Sequence, residues 1–138
     1  MARLVGIDFG EKRFGLALSD PTGLLARPLS VVEGEEELKK TLAKLFVEED
    51  VEGIVLGYPL NKDGTSGPKA KQVDAFKARL EKEYSKPVHL WDERFTTAQA
   101  LGWLRRSGLS PRERAAKVDK VAAQILLQSF LDRQRAPP

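Results

Sequence analysis

Three carboxylates stand out by their position in the chain. Asp8 directly follows the apolar run Leu4 to Ile7, Glu93 follows the apolar end of Val88 to Trp91, and Asp119 falls at the start of a regular apolar stretch beginning at Val118. In open α/β sheets, ligand sites form at the carboxyl ends of parallel strands. With the first strand parallel to the two later ones, Asp8 and Glu93 emerge at one edge. At about 100° per residue Asp119 lies beside Leu126, at the border of its helix's buried stripe, from where it can reach that edge. Three carboxylates a few ångström apart persist only if cations neutralise them or their pKa values rise. A cluster of this kind holds one or two divalent ions, which orient water and stabilise charge on a transferring phosphoryl group. Asp8, Glu93 and Asp119 are therefore candidate metal ligands and catalytic residues. An Asp after a strand also suits a turn, and an Asp early in a helix suits the helix dipole. With 20 acidic residues in the chain, spacing alone leaves these roles open.

Candidate phosphate-binding groups lie nearby. Lys12 and Arg13 occupy the turn that follows Asp8, and Arg94 is adjacent to Glu93, where a guanidinium can hold a phosphate in bidentate geometry or close a structural salt bridge. The loop from Gly57 to Gly67 sits between a strand and a helix, where α/β proteins place functional loops. Its Thr65 and Ser66 can offer hydroxyls and N–H groups to an anion at the helix start. It is not a P-loop, because the glycine spacing and the terminal Lys-Ser/Thr are absent. His89, Trp91 and Trp103 read as packing residues.

Composition narrows the chemistry. The 138 residues suit one domain spanning 1–138, with 135–138 a frayed tail. There is no cysteine and one histidine, which excludes disulfides, thiolate sites and two-histidine schemes. Carboxylates remain as the plentiful ligands, and they suit Mg²⁺ or Mn²⁺. The net charge of +3 permits a polyanionic partner without requiring one. No apolar run approaches the roughly 18 residues that cross a membrane, and the start does not read as a signal peptide.

The elements that must position these groups follow from periodicity. Leu4 to Ile7, Phe14 to Leu18 and Ala26 to Val32 read as an antiparallel meander, with turn signals between them. Glu35 to Glu49 reads as a helix with Leu38, Leu42, Leu45 and Phe46 on one face. Glu52 to Gly57 reads as an interior strand, because its apolar run is continuous. Pro68 opens a second helix with Ala70, Val73, Phe76 and Leu80 inward, and Val88 to Trp91 is a short strand. Thr96 or Thr97 can cap a third helix with Ala98, Leu101 and Leu104 inward. Ser110-Pro111-Arg112-Glu113 is a capping box. Beyond it Val118, Val121, Ala122, Ile125, Leu126 and Ser129 mark a stripe, on one helix to Arg133 or on two pieces meeting near Ala115. The result is an α/β fold: a mixed five-stranded sheet, three antiparallel strands plus two parallel, with helices on both faces. No apolar stripe is left over in this assignment, which favours a monomer.

Four blocks carry a family likeness: Gly6-Ile7-Asp8-Phe9-Gly10-Glu11-Lys12-Arg13-Phe14-Gly15 with Ala17, Ser19 and Asp20; Gly57-Tyr58-Pro59-Leu60-Asn61 with Asp63-Gly64-Thr65 and Gly67; Asp92-Glu93-Arg94-Phe95-Thr96-Thr97; and Lys117-Val118-Asp119 with Ala122-Ala123, Ile125-Leu126 and Gln128. Together, and in this order, they resemble the YqgF-type family of Holliday junction resolvase-like and pre-16S rRNA nuclease proteins. The likeness runs from Gly6 to about Leu131. It implies an RNase H-like fold, Asp8, Glu93 and Asp119 as active residues, and Mg²⁺ or Mn²⁺, read here as two ions bridged by Asp8. It also implies a cytoplasmic location and a nuclease acting on the 5′ end of precursor 16S rRNA, in contact with ribosomal particles. The older assignment of the family, cleavage of four-way DNA, is an alternative. The modest basic charge also suits a non-catalytic nucleic-acid-binding factor in ribosome assembly or transcription.

Overall fold

The computed structural model describes residues 3–10, 12–61, 63–93 and 106–135, with the backbone alone at 114–120 and 135. Strands β1 (Arg3–Phe9), β2 (Arg13–Ser19) and β3 (Ala26–Glu33) form the meander. Helix α1 (Gly34–Glu48) leads to β4 (Val51–Tyr58), α2 (Pro68–Tyr84) leads to β5 (Val88–Asp92), and α3 (Pro111–Arg135) follows. The sheet order is β3-β2-β1-β4-β5. β1 is antiparallel to β2 and parallel to β4, and β4 is parallel to β5. This is the mixed five-stranded sheet the sequence predicts. The helix expected after Thr96 or Thr97, and Trp103, lie outside the described residues.

Strand alternation sorts the core into two faces. Val5 and Ile7 of β1 join Ile54 and Leu56 of β4 under α1 and α2, where Leu38, Leu42, Val73, Phe76 and Leu80 are buried. On the opposite face Leu4, Ala17 and Val55 pack against Ala123, Leu127, Phe130 and Leu131 of α3. The α2 stripe is the predicted one, and Pro68 stands in its first turn. His89 and Trp91 pack on the Phe130 ring, at 5.3 and 5.6 Å between centroids.

Helix α3 is one continuous helix. Its capping box forms as expected: Glu113 N–H donates to Ser110 Oγ and Ser110 N–H to Glu113 Oε1, both at 3.2 Å. Its buried stripe, however, is not the predicted one. Ala123, Leu126, Leu127, Phe130 and Leu131 are buried, while Val121, Ala122, Ile125 and Ser129 are only half-buried. The reason lies in β1. A Cβ on Gly6 would stand 2.9 Å from Leu127 Cβ and 3.3 Å from the Ala123 carbonyl oxygen. Gly6 lets the helix settle on the Ala123–Leu127 row, rotating the β-branched residues outward. Gln128 and Gln124 then reach the edge strand. Gln128 Oε1 accepts from Ala26 N–H at 2.8 Å, its Nε2 donates to the Leu24 carbonyl at 2.9 Å, and Gln124 Nε2 donates to the Ala26 carbonyl at 3.2 Å. The rotation leaves Val121 and Ile125 half-buried, lining a pocket with those two glutamines. Among the described residues, no helix is long and apolar enough to cross a membrane.

Candidate active site

Asp8 stands near the carboxyl end of β1, on the α3 side of the sheet, since Leu4 and Gly6 share that face by alternation. Glycine flanks it. Gly15 is its partner across β2, and Gly57 of β4 follows Leu56, the partner of Ile7. This clears a floor around the carboxylate at the centre of the sheet. Glu93 comes in from the end of β5. Its N–H donates to the Tyr58 carbonyl at 3.1 Å, which turns the chain, and its carboxyl group lies over the Gly57 backbone.

The two carboxyl groups hydrogen-bond to each other. The Glu93 pKa is raised from 4.5 to about 8, chiefly by burial and then by the hydrogen bond and the charge of Asp8, with Asp92 adding in the same sense and Lys69 pulling it down. A neutral Glu93 thus shares its proton with Asp8, the state expected of two carboxylates pressed together without a neutralising cation. The donor set is hard oxygen on a glycine floor, which fits Mg²⁺ or Mn²⁺. Among the described residues no third carboxylate joins the pair. Asp119 lies on α3 one turn before Ala123, whose carbonyl stands over Gly6, and its side chain is outside the described residues.

The predicted phosphate-binding residues divide. Lys12 and Arg13 are exposed, and Arg13 shares the face of Gly15 and Asp8. Arg94 lies outside the described residues. In the loop after β4, Thr65 faces inward on its own turn. Its N–H and hydroxyl both donate to Asp63 Oδ1, at 3.0 and 2.6 Å, and the hydroxyl accepts from Asn61 Nδ2 at 3.0 Å. Thr65 therefore ties the loop together rather than presenting donors outward. Ser66 bridges to Leu60 and hydrogen-bonds the Tyr58 hydroxyl, which donates to Asp74 Oδ2 at 3.0 Å. Two contributors escaped sequence reasoning. Gly57 carried a usable signal, since a glycine inside a strand marks a close approach. Lys69 carried another: a lysine in a helix's first turn opposes the dipole, and no acidic residue stands there to balance it.

A mixed sheet ordered in this way, with carboxyl groups meeting near the ends of β1 and β5, is an RNase H-like fold. The chain belongs to the RuvX family, described as Holliday junction resolvase, which it matches over residues 2–133. It is 46% identical over 132 residues to a protein of Syntrophus aciditrophicus (strain SB) named "Putative pre-16S rRNA nuclease", covering 94% of this chain and 88% of that one. A protein of the same name from Geobacillus kaustophilus (strain HTA426) is 41% identical over 138 residues, covering 96% and 99%. Among solved structures, the fowlpox virus resolvase with Holliday junction DNA superposes with a TM-score of 0.55 at 14% identity, over 97% of this chain and 99% of that one. RuvC of T. thermophilus with a Holliday junction substrate gives 0.54 at 19%, over 98% and 97%. At such identities these two show the shared fold. The family makes this chain a hydrolase of phosphodiester bonds.

Proposed function

We propose that this single domain is a divalent-metal-dependent nuclease of the cytoplasm that trims the 5′ end of precursor 16S rRNA. The observation that carries the reading is the Asp8–Glu93 carboxyl pair at the sheet edge, joined with relatives that bear the rRNA nuclease name. Asp8, Glu93 and Asp119 are the residues that would hold Mg²⁺ or Mn²⁺. Bound there, divalent ions supply the Lewis acidity that makes water a nucleophile near neutral pH and stabilises the leaving oxygen.

The chain's own residues do the rest. Asp8 sits on a central strand, which would give a cation it holds a fixed place. Glu93 would release its proton to water when a cation binds and would then serve as a second anionic anchor. Lys12, Arg13 and Arg94 are the cations that would neutralise substrate phosphates. α3 brings Asp119 over the end of β1, because one helical turn before Ala123 matches the step from Gly6 to Asp8 along the same face.

The test is cleavage of end-labelled precursor 16S rRNA with Mg²⁺ or Mn²⁺. Product at the 5′ side, lost with EDTA and in Asp8→Asn, is expected. Failure to cut any RNA would sink the reading. The family description supports a second substrate, a four-way DNA junction, and cutting of the junction alone would transfer the assignment to it.

A further inference from the structure

The carboxyl group of Glu93 rests on bare backbone. A Cβ built on Gly57 overlaps Glu93 Oε1 and comes within 2.8 Å of Cδ and 2.9 Å of Cγ. No side chain can share that space. Backbone conformation does not explain this glycine, because Gly57 is not among the residues with positive φ. It lies in β4, which pairs with β1 on one side and β5 on the other, opposite Trp91. The strand is thus the rigid partner, and the far end of a flexible glutamate is the soft one.

We propose that Gly57 is a positioning residue: its missing side chain seats the Glu93 carboxyl group against Asp8. The proposal rests on the reading of that pair as the metal-holding site. Any larger residue at 57 swings Glu93 out of the pair while β4 keeps its place. The consequence separates this role from ordinary packing. A glycine needed for the sheet weakens the fold when replaced. A glycine that seats a carboxylate weakens ligand binding and leaves the fold as strong as before, since an interior strand prefers alanine to glycine.

The experiment uses the full chain as wild type, Gly57→Ala, Glu93→Ala and the double variant. Each is followed by Mn²⁺ calorimetry and by urea unfolding in EDTA. Gly57→Ala is expected to weaken Mn²⁺ binding by about tenfold or more, with an unfolding midpoint no lower than wild type. In the Glu93→Ala background the same substitution should leave Mn²⁺ binding unchanged and the midpoint no lower than that of Glu93→Ala alone. A Gly57→Ala protein that folds only when Glu93 is also truncated supports the seating as well. Mn²⁺ binding that Glu93→Ala weakens but Gly57→Ala leaves unchanged overturns it. So does a loss of stability equal in both backgrounds. Equal Mn²⁺ binding by wild type and Glu93→Ala would instead remove the metal-site reading, and the urea cycle would then decide the seating by itself.

Discussion

Replacing Glu93 by glutamine should stabilise the metal-free protein above neutral pH while removing its activity. In the folded chain Glu93 holds its proton up to about pH 8, whereas the ordinary carboxyl releases it near 4.5. Between these values the folded state binds a proton that the unfolded state has lost, so stability is greatest below 4.5 and falls as pH rises through 8. At about 1.4 kcal/mol for each pH unit, the gap sets a ceiling of about 5 kcal/mol. Because Asp8 shares the proton, about 2–4 kcal/mol is the expected realised loss. Glutamine has the shape of the protonated acid and can donate to Asp8, so it keeps the contact without the titration. The assay is urea unfolding of wild type and Glu93→Gln in EDTA from pH 5 to 8.5. Wild type should weaken across the range and the variant should stay level. Mn²⁺ should restore wild type at pH 8.5 by about 2.7 kcal/mol at a hundredfold excess over its dissociation constant, and should do less for the variant. A flat wild-type profile, or a variant less stable than wild type at pH 8.5, would refute the argument.

Gly6→Ala should cost about 1–3 kcal/mol, because its Cβ must push Leu127 and the Ala123 carbonyl away; urea midpoints measure the loss, and cleavage should fall with it as α3 lifts from β1. Ser110→Ala should cost about 1 kcal/mol by opening the capping box, with single-turnover cleavage at saturating metal unchanged in the fraction that is folded. Lys69 is exposed and makes no ion pair among the described residues, yet its charge reaches Glu93. Lys69→Ala should therefore leave the unfolding midpoint alone and reduce the salt dependence of RNA binding by about one charge in the log–log slope, and an unchanged slope would exclude a substrate contact.

The sheet was legible because its strands carry their environments in their patterns. Ile54, Val55 and Leu56 announce a strand covered on both faces, and the close spacing of Leu4–Ile7 and Phe14–Leu18 announces a hairpin. Asp8 and Glu93 were legible for a related reason: Asp8 interrupts an apolar run and Glu93 follows the end of another, at the edge where the parallel strands end. What stayed hidden depends on partners that a period cannot name. The rotation of α3 is decided by the empty space at Gly6, a residue about 120 positions away in the chain, and helical periodicity has no access to it. Thr65 looked like an anion ligand because its type suits one. Asp63, two residues earlier, claims both its donors, and only the turn geometry reveals that competition.

The site divides its labour between rigid and adjustable parts. Asp8 pairs with Gly15 of β2 on a strand that β4 flanks on its other side up to Ile7, and the glycines beside it exclude any side chain that would screen it. Glu93 lies one residue past the end of β5, its N–H donating to the Tyr58 carbonyl, so on the proposed reading its carboxyl group would exchange a proton for a cation without disturbing the sheet. A site built only of central-strand carboxylates would suffer full repulsion whenever it was empty. A site built only of loop carboxylates would not hold a reacting phosphate in place. Placing one carboxylate on the central strand and a protonable one at a strand end avoids both faults. On the proposed reading, the proton that Glu93 shares with Asp8 would relieve in the metal-free protein the repulsion that a bound cation would relieve otherwise.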